Sequence, residues 1–299
     1  MKGLTNYITE SSWEDIIIFW FVHIDDGYKK LIAQQDSPLR KRGPEPKMSD
    51  SEVMTISLVI ETFFNGCEEI GYAFVCQFLS HLFPDLLDLD RFNHRRRQLI
   101  SIIEAIRRQF RQQLLDLKEN VRLVDSAPVT LMTYTRGARC ESVYGPEYFG
   151  VVTSKKGKFF GLRLHLTTTP DQLIDEWLLA PASVPDGKAV DALLEGCNDL
   201  AVIGDKAYND EELEDRLWRK RRIHLLPLRK SNQMKQWSDD VRRAMGKVRH
   251  RVETVFSVLT TIFNVQRPRG RSLTGHVVRV ATCILAHTMS FLIAQNSIG

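Results

Sequence analysis

The spacing of hydrophobic positions changes period along the chain. Up to about residue 115 it is helical: residues 13–23 read as an amphipathic or buried helix, 52–64 as a second and 73–82 as a third. Ser49, with Glu52 three residues later, is a capping box that opens the second of these. The stretch before it, SPLRKRGPEPKMSDSE, is broken by proline and glycine and reads as a basic linker. Beyond the third helix, FPDLLDLDRFNHRRRQLISIIEAIRRQFRQQLLDL sets Arg91, Arg95, Arg96, Arg97, Arg107, Arg108 and Arg111 beside apolar positions. A small helical domain with arginines along one side is a candidate DNA reader, although ordinary bundles show the same pattern.

From Val121 the period shortens. Residues 121–125, 148–154, 158–168 and 173–180 are rich in β-branched and aromatic residues and bounded by Gly, Pro and Lys-Lys-Gly turns, which predicts an antiparallel meander. GKAVDALLEG follows as a helix closed by Gly196, and LAVIGD as a short apolar strand of the buried parallel kind. A charged helix (209–222), a strand (223–228), a basic loop and a last amphipathic helix, RHRVETVFSVLTTIF, complete the pattern. In that helix Val252, Val255, Phe256, Leu259, Ile262 and Phe263 form one apolar stripe. The expected fold class is α/β, a mixed sheet flanked by helices, with an all-helical N-terminal domain over 1–117 and the sheet domain over 118–299.

Three acids stand out against this framework. Asp125 and Asp205 each follow a run of apolar strand residues, at the place where open α/β sheets put ligands. Gly204 before Asp205 allows a close approach, and Pro128 is expected to end the strand that carries Asp125. Glu253 sits on the rim of the apolar stripe, one turn after Arg249, so it is either a solvated helix partner of that arginine or a ligand facing a cleft. Singly, each aspartate reads as a cap or a turn residue. Together, three carboxylates suit in-line phosphodiester displacement assisted by Mg²⁺ or Mn²⁺, with two ions about 3.5–4 Å apart clamping the attacking and leaving oxygens. His165, His224 and His250 lack an HxxxH partner and read as structural or DNA-facing.

Charge strengthens this picture. The net charge of +4 conceals 17 Lys and Arg against three acids between Arg216 and Arg279, a local excess of +14 that leaves the rest of the chain at −10. Such asymmetry predicts a polyanion-binding surface, because solvated faces usually mix their signs. The five scattered cysteines, with no CxxC pair, argue for reduced thiols in the cytosol. The start of the chain does not read as a secretory signal, and the apolar runs 16–22 and 277–293 read as too short or too polar for a membrane span.

VDS around Asp125, GDKAY around Asp205 and the RxxxE helix at Arg249 and Glu253 resemble the three signatures of DDE-type insertion-sequence transposases with a ribonuclease-H-like core. KMSDSEVMTISLV and RxxVETxFSVL are similar to the insertion-sequence family numbered nine hundred and eighty-two. This resemblance, covering most of the chain from about Lys41, implies that Asp125, Asp205 and Glu253 are the catalytic metal ligands. It also implies double-stranded DNA as partner (element ends and target), a homodimer, and cleavage followed by joining of 3′ ends. Acid spacings of 80 and 48 residues leave no room for a large insertion before Glu253. Gly246 stands where many relatives carry tyrosine, and Thr260 where they carry lysine, so Arg267, Arg269 and Arg271 are the expected replacements for the missing DNA contact. Arg249, Arg251, Lys206, Arg229 and Lys230 are further candidate DNA contacts. Two rivals remain open: a nuclease of the same fold that does not join, and a DNA-binding protein whose chemistry has lapsed.

Overall fold

Ser49 accepts a hydrogen bond from the Glu52 N–H at 3.1 Å while the Glu52 carboxylate accepts from the Ser49 N–H. This is the expected capping box, and the helix it opens is buried along most of its length. The computed structural model describes residues 12–34, 46–116, 119–152, 157–229, 233 and 236–296. Much of the basic linker therefore falls outside the described residues. The chain divides into two compact units, residues 1–114 with 262–299, and residues 115–261.

The first unit is helical: α1 (Trp13–Ala33), α2 (Asp50–Phe63), α3 (Glu68–Phe78), α4 (Leu89–Gln98), α5 (Ile100–Leu114) and the C-terminal α9 (Leu273–Asn296). Helix α9 packs on α2 and α5. Sequence reading put 262–299 with the sheet, yet α9 joins the helical unit across 218 positions of chain, through an ion pair between Arg279 and Glu61. Glu61 also pairs with Arg96, and all three side chains are 2% exposed or less. Burial alone would push the Glu61 carboxyl up, but Arg96 and Arg279 outweigh it and hold the group below its ordinary range. Gly66, at φ +68, lies against this network, and a Cβ there would collide with the Arg279 guanidinium.

Arginines expected on an outer face are partly inside. Arg95 bonds to Asp50 and to the Met48 carbonyl, and Arg107 is buried against Glu104. A pattern of arginines at helical spacing does not reveal which of them the acids of other helices will claim. Helix α9 is long and apolar enough to cross a bilayer, beyond what the sequence reading allowed, but 83% of its most apolar window is buried inside the protein.

The second unit contains one six-stranded sheet. Its strands are β1 (Val121–Met132), β2 (Phe149–Val152), β3 (Gly157–Thr168), β4 (Ile174–Pro181), β5 (Ala201–Gly204) and β6 (His224–Pro227). β3 is antiparallel to β1 on one side and to β2 and then β4 on the other, while β5 and β6 extend the sheet in parallel beyond β1. Helices α6 (Asp186–Leu193) and α7 (Glu211–Arg221) join Val124, Val202 and Leu225 in an apolar core. Helix α8 (Asp239–Thr261) packs on β1 and β5. This is the expected α/β class, a ribonuclease-H-like mixed sheet flanked by helices.

Two local expectations change. β1 does not end near Asp125 but runs through Pro128 to Met132. Its pairing with β5 covers only Val121 to Leu123, so beyond that point it has a strand on one side only, and a proline is tolerated in such an edge. Helix α8 stops at Thr261, so Ile262 and Phe263 lie past the stripe they seemed to close.

Candidate active site

The parallel pairing of β1 with β5 brings two acids beside the point where β5 ends. Asp125 lies two residues past the last paired residue of β1, and Asp205 directly follows β5. Gly204 is required there: a Cβ would stand 2.9 Å from the ring of Tyr208 and 3.0 Å from Val124. The close approach read from the sequence is thus made by a tyrosine ring four residues on, at the end of a short 3₁₀ turn that Asp205 caps by accepting the Lys206 N–H.

Helix α8 brings the third acid. Val252, Val255, Phe256 and Leu259 are buried against the sheet, which leaves Arg249 and Glu253 on the flank of the helix facing the strand ends. Arg249 links two of the acids: Nη1 donates to Asp205 Oδ1 at 3.3 Å and Nη2 to Glu253 Oε1 at 2.9 Å. His250 Nδ1 stands 3.0 Å from the other Glu253 oxygen. Asp125 accepts the Ser126 N–H at 2.8 Å. Burial pushes the Asp125 carboxyl up to about 6; the Ser126 N–H and Arg249 pull against this, while the charges of Asp205 and Glu253 add to it. The three acids, 80 and 48 positions apart in sequence, therefore lie within electrostatic reach of one another.

This arrangement has three carboxylates around one guanidinium. Among the described residues no group of three His, Cys, Asp or Glu stands ready as a metal cage. The fit is read instead from the donors: all are hard carboxylate oxygens, and a cationic group already bridges two of them, so the site calls for positive charge and suits Mg²⁺ or Mn²⁺.

The candidate DNA contacts fare unevenly. Lys206 is exposed beside Asp205, and Arg251, half exposed, bonds to the Pro170 carbonyl and faces Asp171 at 3.5 Å. Arg229 is 8% exposed, committed to Glu214 and stacked over Trp237, which makes it structural. Lys230 lies outside the described residues. Arg267, Arg269 and Arg271 are exposed and belong to the helical unit. His165 is buried, neutral by desolvation with its pKa near 3, and so does not face DNA.

A family model described as the transposase DDE domain matches residues 116–289, more than half of the chain. The chain belongs to the DDE transposase family. A search of curated proteins finds no significant match. As a DDE transposase it acts on DNA and belongs to a family that uses divalent metal ions. Sequence reading gave no role to Ser126, Arg163, Asp186 or Tyr208, which gather on the opposite face of β1 beside Asp125. Asp186, following Pro185 at the start of α6, offered a signal in the form of another acid at an element end.

Proposed function

We propose that this transposase binds the terminal inverted repeats of its own insertion sequence, cleaves a phosphodiester at each end and joins the freed 3′ ends to target DNA, with Asp125, Asp205 and Glu253 as the metal-binding catalytic acids. The observation that carries this reading is Arg249 bridging Asp205 and Glu253 beside Asp125. Three carboxylates gathered against burial and mutual repulsion have no structural benefit that apolar residues would not supply better.

Each residue has a definite part. Asp125, rigid on β1 and held by the Ser126 N–H, Asp205 at the end of β5 and Glu253 on α8 would hold two Mg²⁺ or Mn²⁺ ions. Bound there, the ions activate the attacking oxygen and stabilise the leaving one. Arg249 keeps Asp205 and Glu253 oriented and lowers the repulsion among the acids. In the first reaction a water oxygen bonds to phosphorus as the bond to the 3′ oxygen breaks, leaving a 3′ hydroxyl and a 5′ phosphate. In the second, that 3′ oxygen bonds to a target phosphorus and displaces the target's own 3′ oxygen. Lys206, Arg251, Arg267, Arg269 and Arg271 are the proposed phosphate contacts. Two element ends must be processed together, so the working form is a homodimer acting at the nucleoid.

The test is to incubate the protein with labelled duplexes carrying the inverted repeats that flank its gene, a target plasmid and Mg²⁺ or Mn²⁺. Metal-dependent joined product is expected. Cleavage without joining would make the protein a nuclease of the same fold, and a gel shift indifferent to metal, with no cleavage, would leave only a DNA-binding protein.

A further inference from the structure

Behind the three acids lies a polar group of side chains that the reaction as described does not use. Side chains alternate across β1, so Asp125 faces α8 whereas Val124 and Ser126 face the layer of α6 and α7, where Val124 joins the apolar core. Ser126 serves both faces. Its N–H donates to Asp125 Oδ1 at 2.8 Å, and its hydroxyl donates to Asp186 Oδ1 at 3.3 Å. Arg163, reaching from β3, points Nη1 at the same hydroxyl from 3.5 Å. His165 Nδ1 stands 3.8 Å from Asp186 Oδ1.

Packing does not account for this group. His165 and Tyr208 are buried; neither ring nitrogen of His165 has a hydrogen-bond partner, and the Tyr208 hydroxyl interacts with Ser126. Buried polar side chains cost desolvation, and a histidine and a tyrosine gathered with Ser126 and Asp186 mark a site kept polar for a reason other than stability. The charge of Asp186 also acts on Asp205 and on Tyr208, so its influence reaches the acids on the front face.

We propose that Asp186 is a positioning residue of the transposase: by holding the Ser126 hydroxyl at the free edge of β1 it fixes the Ser126 peptide, and with it the orientation of Asp125 toward Asp205 and Glu253. The proposal rests on the role given above to Asp125. β1 lacks a β5 neighbour at this point, so no ladder hydrogen bonds on that side hold the peptide, and a side-chain tether takes their place. Asn at 186 would keep an acceptor oxygen for the Ser126 hydroxyl, whereas Ala would leave the hydroxyl free to turn.

The experiment uses the full chain with supercoiled plasmid and Mn²⁺, following nicking rate, gel-shift affinity and melting temperature, together with Mn²⁺ affinity measured by electron paramagnetic resonance. Asp186→Ala and Ser126→Ala are each expected to slow nicking and weaken Mn²⁺ binding by ~10–100-fold at unchanged DNA affinity, the range usual for groups that orient metal ligands. Asp186→Asn is expected to recover most of that loss, which a purely structural defect would not follow. Full nicking and Mn²⁺ binding in Asp186→Ala would overturn the proposal. So would an Asp186→Asn as impaired as Asp125→Asn, since that outcome makes Asp186 a direct ligand. If Asp186→Ala fails to fold, Ser126→Ala and Asp186→Asn decide the matter alone. Wild-type nicking by Asp125→Asn would instead sink the assignment of the three acids, an outcome visible separately.

Discussion

The two units handle buried acid in opposite ways. In the helical unit Glu61 is closed off between Arg96 and Arg279, and Arg96 reaches a second acid, Glu68, at 3.2 Å, so that two guanidinium groups match two carboxylates. In the sheet unit three carboxylates share one arginine, Arg249, and Asp205 and Glu253 stay 38% and 45% exposed. Both arrangements cost desolvation, but only the first is balanced by its own partners. The contrast separates a charge network that holds elements together from one left short of positive charge, and the shortfall is what a cation and a phosphate backbone can supply.

The largest effects should fall on chemistry. Asp125→Asn, Asp205→Asn and Glu253→Gln should each reduce joining of labelled ends to background while DNA binding by gel shift persists. Their melting temperatures in metal-free buffer should hold or rise, because each substitution removes mutual repulsion. A joining-competent Glu253→Gln variant would remove that residue from the mechanism. Glu61→Ala should do the reverse and destabilise the protein by about 3–5 kcal/mol in urea unfolding, since the buried Arg279 guanidinium loses its carboxylate and Arg96 keeps only Glu68. An unchanged midpoint would show that the network is not a structural anchor.

The acids should also respond to pH with opposite signs. Glu61 titrates below its ordinary value in the folded protein, so the stability it contributes is present above the unfolded carboxylate range and is lost as pH falls through the lower folded value. Asp125 titrates above its ordinary 3.8, at about 6, so the folded state holds its proton longer, and stability falls as pH rises across that window. Melting curves between pH 4 and about 6 should therefore be flatter for Asp125→Asn than for wild type. Smallest should be the effect of single outer arginines. Arg267→Ala, Arg269→Ala or Arg271→Ala should each lower the slope of log affinity against log salt by about 0.9 if the residue contacts a phosphate, and leave it unchanged otherwise.

Much of the site was legible because its residues announce themselves locally. Asp205 follows an apolar strand run and Glu253 sits off a helical stripe, so both could be placed at an element edge before any contact was known, whereas Asp125 lies inside β1, beside the point where β5 leaves it. Partnerships across long stretches of chain were not legible. Nothing near Asp186 in sequence points to Ser126, and nothing near Arg279 points to Glu61. Pro128 was misjudged for the same reason: whether a proline ends a strand depends on which neighbour the strand has at that residue, and β5 had already departed. The inward turn of Arg95 and Arg96 likewise depends on acids elsewhere in the fold, which helical spacing alone does not supply.

The most direct measurement of the central claim is a calorimetric titration of Mn²⁺ into the protein bound to a duplex of its element end, for wild type and for the triple variant Asp125→Asn, Asp205→Asn, Glu253→Gln. Saturable binding of two ions by wild type and none by the folded, DNA-bound triple variant is the expected result. Equal Mn²⁺ binding by both proteins would contradict it and take the three acids out of the metal site.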